Sequence, residues 1–168
     1  SAGAPLLPAA LTPVAIVVLS DELRPKVQDT IADFARAGVQ LKVISGDNPD
    51  TVAALAVQAG FPAGVRAISG PELEQLDDAA FDVAARDNTI FGRITPQQKE
   101  RLVDSLRRQD QYVAMMGDGV NDVLSLKKAH VGIAMQSGSA ATRGVADIIL
   151  LNDSFAALPP AFIEGQRI

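Results

Sequence analysis

The chain has 168 residues, enough for one domain with a sizeable core, and its net charge of −5 argues against a nucleic-acid footprint. Hydrophobic residues make up 48% and aromatics only 4%, a balance that suits an α/β protein packed on Ala, Val, Leu and Ile. With no cysteine, disulfides, thiolate metal sites and a cysteine nucleophile are excluded. No stretch reaches the roughly 18–20 apolar residues that cross a bilayer. Residues 3–19 come closest, but Pro5, Pro8 and Pro13 interrupt them and the basic start of a signal peptide is missing. The chain is therefore expected to be soluble, with residues 1–12 an irregular lead-in.

Apolar strands alternate with segments of helical period, which predicts βα repetition and a mostly parallel sheet flanked by helices. Val14–Leu19 reads as a strand ending at Ser20-Asp21. Pro25 suits a helix's first turn, Val27, Ile31 and Phe34 follow at helical spacing, and Gly38 is placed to end the helix. Val39–Ile44 reads as a buried strand that breaks at Ser45-Gly46-Asp47-Asn48-Pro49, and Thr51–Ala59 as an alanine-rich helix closed by Gly60. Pro71–Leu76 is expected to form a short helix, and Asp77–Asn88 to be solvated and partly irregular. Thr89–Arg93 is a short strand and Pro96–Arg108 a helix with Leu102, Val103 and Leu106 facing inward. Tyr112–Met116 is a strand, Asn121–Ala129 a helix, Val131–Met135 a strand, Ser139–Val145 a short helix and Ile148–Leu151 a last strand. Phe155–Arg167 begins a helix whose start Pro159-Pro160 disturbs. The whole is read as one domain, with no internal repeat.

The strand before Gly117 runs into Gly117-Asp118-Gly119-Val120-Asn121-Asp122, a tight glycine loop holding two acids and an amide. Glycines let the backbone approach a ligand closely. Asp118 and Asp122 offer hard oxygens suited to Mg²⁺, and Asn121 can donate to a phosphoryl oxygen without adding negative charge. Two more features lie at strand exits, where open α/β sheets place their ligands: Ser45-Gly46-Asp47, and Lys99 behind Thr95-Pro96. A hydroxyl and a glycine amide can bind phosphoryl oxygens, a lysine can neutralise their charge, and the acidic pair can hold a metal. Together these are the parts of a phosphoryl-transfer site, minus a nucleophile. Each also has a plain reading: a βα turn for Ser45–Asp47, a solvated helix residue for Lys99, an edge residue for Arg93, and a structural role for His130 at a helix–strand junction. Three such features at strand ends favour the site.

The residues resemble those of P-type cation-transporting ATPases. Gly117–Asp122, followed by Ser125-Leu126-Lys127-Lys128-Ala129 and Val131-Gly132-Ile133-Ala134-Met135, is similar to their hinge segment. Ser45-Gly46-Asp47-Asn48 with Thr51 resembles their Thr-Gly-Asp-Asn motif. Phe91-Gly92-Arg93 leading through Pro96 to Lys99 resembles the segment before their phosphate-binding lysine. Asp21-Glu22-Leu23-Arg24-Pro25 resembles the return from the nucleotide domain, and Glu164-Gly165-Gln166-Arg167 the exit toward a transmembrane helix. The resemblance implies a haloacid-dehalogenase-like Rossmannoid fold. It implies that Ser45, Gly46, Lys99 and Asn121 bind phosphate, that Asp118 and Asp122 serve Mg²⁺, and that Asp47 and Arg93 lie near the nucleotide. Lys99, Asp118, Asn121 and Asp122 would be catalytic, and ATP and a metal cation would be substrates of the parent pump.

Where the sequence departs from the family, the departure is informative. The family's nucleophile motif Asp-Lys-Thr-Gly-Thr is absent, and Asp87-Asn88-Thr89 lacks the glycine and preceding strand to replace it. The chain is therefore expected to be the C-terminal part of a phosphorylation domain: a cytoplasmic piece of a plasma-membrane pump, inactive alone, with residues 155–168 leading to the membrane. Val123-Leu124 stands for the usual Ala-Pro and His130 for the usual Asp; the Val-Leu variant resembles a branch of bacterial pumps for which calcium is the expected ion. Partners implied are the nucleophile strand, nucleotide domain and transmembrane helices of the same parent. In this fold the missing strand lies between those ending at Ser45 and Met116, so a gap or two exposed edges are expected, with self-association one outcome. A stand-alone phosphatase and a non-catalytic regulatory pseudo-domain are the alternatives. The first needs an Asp nucleophile with a second acid two residues on, which Ser20-Asp21-Glu22-Leu23 does not give. The second leaves Asp118, Asp122 and Lys99 unexplained.

Overall fold

The computed structural model describes residues 14–15 and 22–167. The expected strand at Val14–Leu19, the lead-in before it and Asp21 of the Asp21–Pro25 segment fall mostly outside these residues. In chain order the elements are α1 (Val27–Arg36), β1 (Val43–Ile44), α2 (Pro49–Gln58), β2 (Ala67–Ser69), α3 (Gly70–Glu74), α4 (Asp78–Asp87), β3 (Ile90–Gly92) and α5 (Pro96–Arg108). Then follow β4 (Ala114–Gly117), a 3-10 turn at Val120–Asp122, α6 (Val123–Lys128), β5 (Val131–Met135), α7 (Ala140–Arg143), β6 (Ile148–Leu150), two further 3-10 turns (Leu151–Asp153 and Phe155–Ala157) and α8 (Leu158–Gly165). None of the described helices is long and apolar enough to cross a membrane.

The strands form two all-parallel three-stranded sheets, ordered β1-β3-β2 and β4-β5-β6. Among the described residues β1 and β4 are hydrogen-bonded on one side only, and the same is true of β2 and β6. Ile44, at the end of β1, packs both on the Leu73–Phe81–Phe91–Leu102 core and on the cluster of Val103, Met115 and Leu126 beneath β4. The halves that carry β1 and β4 thus share a hydrophobic centre at Ile44. Helix α5 joins the halves: it packs on α4 on one side and α6 on the other. Its start is fixed by a capping box, with the Gln98 amide N–H meeting Thr95 Oγ1 at 3.3 Å and the Thr95 N–H meeting Gln98 Oε1 at 3.0 Å.

Three expectations need correction. Residues 78–87 are not irregular but form α4, capped by Asp77, whose carboxylate accepts the Ala80 N–H at 2.8 Å. Phe81, Ala84 and Ala85 are buried at helical spacing, and the Arg101 guanidinium lies 3.9 Å above the Phe81 ring centre. Burial of Phe81 alone is worth about 1.5–3 kcal/mol. The second correction is the strand at Val39–Ile44, of which only Val43–Ile44 pairs, because β3 offers a matching ladder only at Ile90 and Phe91. The third is Pro25, which lies in a turn before α1 rather than in its first helical turn; Lys26, at the N-cap, has φ +65°. In addition β2 enters as a strand parallel to β3, in a stretch where no strand was expected.

Candidate phosphate and metal site

The site grows from the carboxyl ends of β1, β3 and β4. The Ser45 N–H donates to Phe91 O at 2.8 Å, and the Ile94 N–H returns to Ser45 O at 3.0 Å. The Arg93 N–H donates to Asp47 O at 2.8 Å. The loop after β1 is therefore sewn to the turn that leads from β3 into α5. Ser45 Oγ accepts the Asp47 N–H at 3.1 Å, folding the loop back on itself so that Gly46 is exposed. A side chain at Gly46 would meet nothing within 4 Å, so the space above this peptide is open. Gly92 differs: a Cβ there would lie 2.5 Å from Pro49 N, and the absence of one lets α2 start directly against β3.

Arg93 is exposed and has φ +53°, an uncommon conformation for a residue with a side chain. Such strain, about 1–3 kcal/mol, is held in place by the two backbone bonds on either side of it. Asp47 and Arg93 are both exposed and are joined through the bond from Arg93 N–H to Asp47 O, so the structure brings these two expected residues together.

Lys99, one turn into α5, reaches across to the β4 loop. Its Nζ lies 2.6 Å from Asp122 Oδ1, with the lysine side chain 17% and the aspartate 7% exposed. Asp122 Oδ2 accepts the Gly119 N–H at 3.1 Å, and the Asp122 N–H donates to Gly119 O at 3.0 Å. Both oxygens of Asp122 thus have protein partners, and the carboxylate sits under Gly117, where a Cβ would come within 2.4 Å of Asp122 Cβ. Gly117 is required by this close approach. Ser125, fully buried, donates to Asp122 O at 2.9 Å and closes the turn into α6.

Asp118 and Asn121 are different in kind. Both are exposed, and among the described residues neither side chain has a hydrogen-bond or ion-pair partner. The donor set fits a hard cation of the Mg²⁺ type. Among the described residues no group of three or more acids, histidines or cysteines gathers into a closed metal cage. Mg²⁺ does not ask for one, since it binds through one or two carboxylates and completes its shell with water and substrate phosphate.

Residues that sequence spacing did not single out support this loop from below. The Ser139 N–H donates to Asp118 O at 2.7 Å, and Thr142 Oγ1 donates to Gly119 O at 2.8 Å. Gly138 lies so close that a Cβ would fall 2.8 Å from Asp118 O. His130, by contrast, is outside the site: its Nδ1 accepts the Val113 N–H at 3.1 Å and its ring stacks on Tyr112 at 4.6 Å. Asp87 also lies elsewhere, paired with Arg66 and Arg86 beside the end of α4.

A family model described as haloacid dehalogenase-like hydrolase matches residues 2–130. Among curated proteins, the calcium-transporting ATPase CtpE of Mycolicibacterium smegmatis is 43% identical over 172 residues, covering 100% of this chain and 21% of that protein. The probable cation-transporting ATPase exp7 of Streptococcus pneumoniae is 35% identical over 164 residues, covering 98% of this chain and 21% of that protein. The chain thus spans about a fifth of the length of these relatives. A solved structure of the catalytic domain of the CPx-ATPase CopB-B, determined for its conformational changes upon nucleotide binding, superposes with a TM-score of 0.64 at 26% identity. That likeness covers 85% of this chain and 46% of the other.

Proposed function

Since the chain belongs to the haloacid dehalogenase-like hydrolase family, we propose that it supplies the Mg²⁺- and phosphate-binding half of the phosphorylation site of a P-type cation-transporting ATPase. Two observations support this reading: the Ser45–Asp47 loop is hydrogen-bonded to the turn that leads into α5, and Lys99 of α5 reaches Asp122 of the β4 loop at 2.6 Å. The names of the relatives, calcium- and cation-transporting ATPases, support the class of reaction and make calcium the ion proposed for the parent.

In this reading Ser45 Oγ and the Gly46 N–H bind oxygens of the transferred phosphoryl group. Lys99, held in place by Asp122, faces the same oxygens with its positive charge. Asn121 donates its amide N–H to the group from the other side, and Asp118 is the carboxylate that holds Mg²⁺, with Asp122 behind it fixing the lysine and the loop. Mg²⁺, when bound, would neutralise charge between carboxylate and phosphoryl oxygens. Arg93 and Asp47, exposed on the adjoining loops, would meet the nucleotide. The attacking carboxylate comes from a strand of the parent that enters between β1 and β4, and the phosphoryl group passes from ATP to that carboxylate and then to water. Residues 155–168 continue toward the membrane part of the same parent.

The test is made in the full-length parent pump. Incubation with Mg²⁺ and γ-labelled ATP is expected to give an acid-stable, hydroxylamine-sensitive phosphoprotein, and Asp118→Asn to abolish it while the protein remains folded. Full labelling of the Asp118→Asn pump would refute the role given to this loop.

A further inference from the structure

The proposed function rests on Asp118 pointing outward from the β4 turn, yet nothing within that turn holds its first two peptides except the bonds to Asp122. The hold comes from residues about twenty positions further along the chain. Thr142 is fully buried, although its hydroxyl is polar. Its Oγ1 donates to Gly119 O at 2.8 Å and lies 3.4 Å from Asp118 O. Ser139 Oγ is 2.5 Å from Thr142 Oγ1 and accepts the Thr142 N–H at 3.0 Å. Since the threonine proton is committed to Gly119 O, the serine must donate to the threonine. The chain of donation therefore runs Ser139 Oγ to Thr142 Oγ1 to Gly119 O, while the Ser139 N–H takes Asp118 O at 2.7 Å. Gly138 leaves room for this contact, since a Cβ would meet Asp118 O at 2.8 Å and Asp118 Cα at 3.0 Å.

We propose that the Ser139–Thr142 hydroxyl pair is a latch that fixes the Asp118–Gly119 carbonyls, and that Thr142 is thereby a positioning residue for the Asp118 carboxylate. A buried hydroxyl network is rigid when every member is satisfied, and all of these members are. The latch holds the Asp118 backbone rather than its carboxylate, and so fixes the point from which the carboxylate projects. Losing the outer support of a metal ligand typically costs 10–100-fold in affinity. The latch lies at the N-cap and within the first turn of α7, so the carboxylate is aimed by a helix that contributes no ligand of its own.

The experiment compares the unaltered chain with Thr142→Val and Thr142→Ser, by Mg²⁺ titration read from amide shifts and by amide hydrogen exchange without metal. Valine keeps the shape and removes the hydroxyl; serine keeps the hydroxyl. The Thr142→Val chain is expected to bind Mg²⁺ about 10-fold more weakly and to lose exchange protection at Ser139 and Asp122, with thermal unfolding still cooperative. Thr142→Ser should restore both to near the starting values. Equal Mg²⁺ affinity and equal protection in the valine variant would overturn the latch, as would a failure of serine to rescue. If the unaltered chain gives no Mg²⁺ response, the functional reading of Asp118 fails at its metal. The latch is then decided by exchange alone: protection lost with valine and kept with serine supports it, and no difference overturns it.

Discussion

The Lys99–Asp122 pair gives the sharpest quantitative expectation. Removing one partner of a buried pair strands the other, at a cost of about 3–5 kcal/mol. Lys99 retains some access to water at 17% exposure, whereas Asp122 at 7% has little. Lys99→Met therefore leaves the more deeply buried charge behind, with only the Gly119 N–H still donating to it, and should cost about 3 kcal/mol. Asp122→Asn keeps the volume and an oxygen that can accept the Gly119 N–H but leaves the lysine opposite a neutral amide, and should cost about 2 kcal/mol. The double variant removes both charges together, so its loss should fall short of the sum by about 2 kcal/mol. Urea unfolding at fixed pH measures all four proteins, and for a chain of this size each kcal/mol corresponds to about 2–4 °C in Tm. If the two single losses add to within about 0.5 kcal/mol, the pair is not coupled and Lys99 is not held by Asp122.

Three further expectations follow from the structure. Gly117→Ala would force a Cβ to within 2.4–2.8 Å of the Asp122 side chain and should destabilise by about 1–3 kcal/mol in urea unfolding, with weakened Mg²⁺ binding. Lys42, whose Nζ donates to Arg86 O at 2.8 Å and Asn88 O at 2.7 Å, is lowered to about 8 by burial, against the opposing pull of Asp87. Between that value and 10.5 the unfolded chain binds the additional proton, so stability should rise with pH across this window and the slope should shrink in Lys42→Met. The hydroxyl of buried Ser105, 2.6 Å from Asp82 Oδ1, is the largest of the influences holding the Asp82 carboxyl below its ordinary value; Ser105→Ala should move its NMR titration midpoint upward.

Much of the fold could be read from residue types. Pro96–Arg108 was bounded correctly because Thr95 and Gln98 form a capping box and the apolar residues repeat at helical spacing. Val131–Met135 was bounded correctly because an uninterrupted apolar run suits a strand buried on both faces. The stretch at Asp78–Asp87 misled for a physical reason: its inward face is one phenylalanine and two alanines, so the apolar signal is small while the acids around it look solvated. Strand β2 is three residues long and half covered, too short for any period to show.

The site residues were marked by glycines and acids at strand ends, so sequence could point to them and the structure brings Lys99 and Asp122 into contact. It could not show that Asp122 is buried with both oxygens engaged, whereas Asp118 is exposed. That difference depends on how β4 turns into α6, not on spacing. Ser139 and Thr142 escaped notice because they bind backbone carbonyls of another loop, and a backbone acceptor leaves no mark on the residue that carries it. Ser139 carried a trace, an N-cap hydroxyl ahead of a short helix, but nothing in it specified what lies above.

The central claim, that this chain carries a metal and phosphoryl half-site, is tested most directly by titrating it with Mg²⁺ and beryllium fluoride, a phosphoryl mimic, and following amide shifts by NMR. The account predicts that Gly46, Lys99 and the amides of residues 118–122 shift together, and that Asp118→Ala removes the response while the remainder of the spectrum stays in place. Shifts that survive Asp118→Ala, or no response at these residues in the unaltered chain, would contradict it.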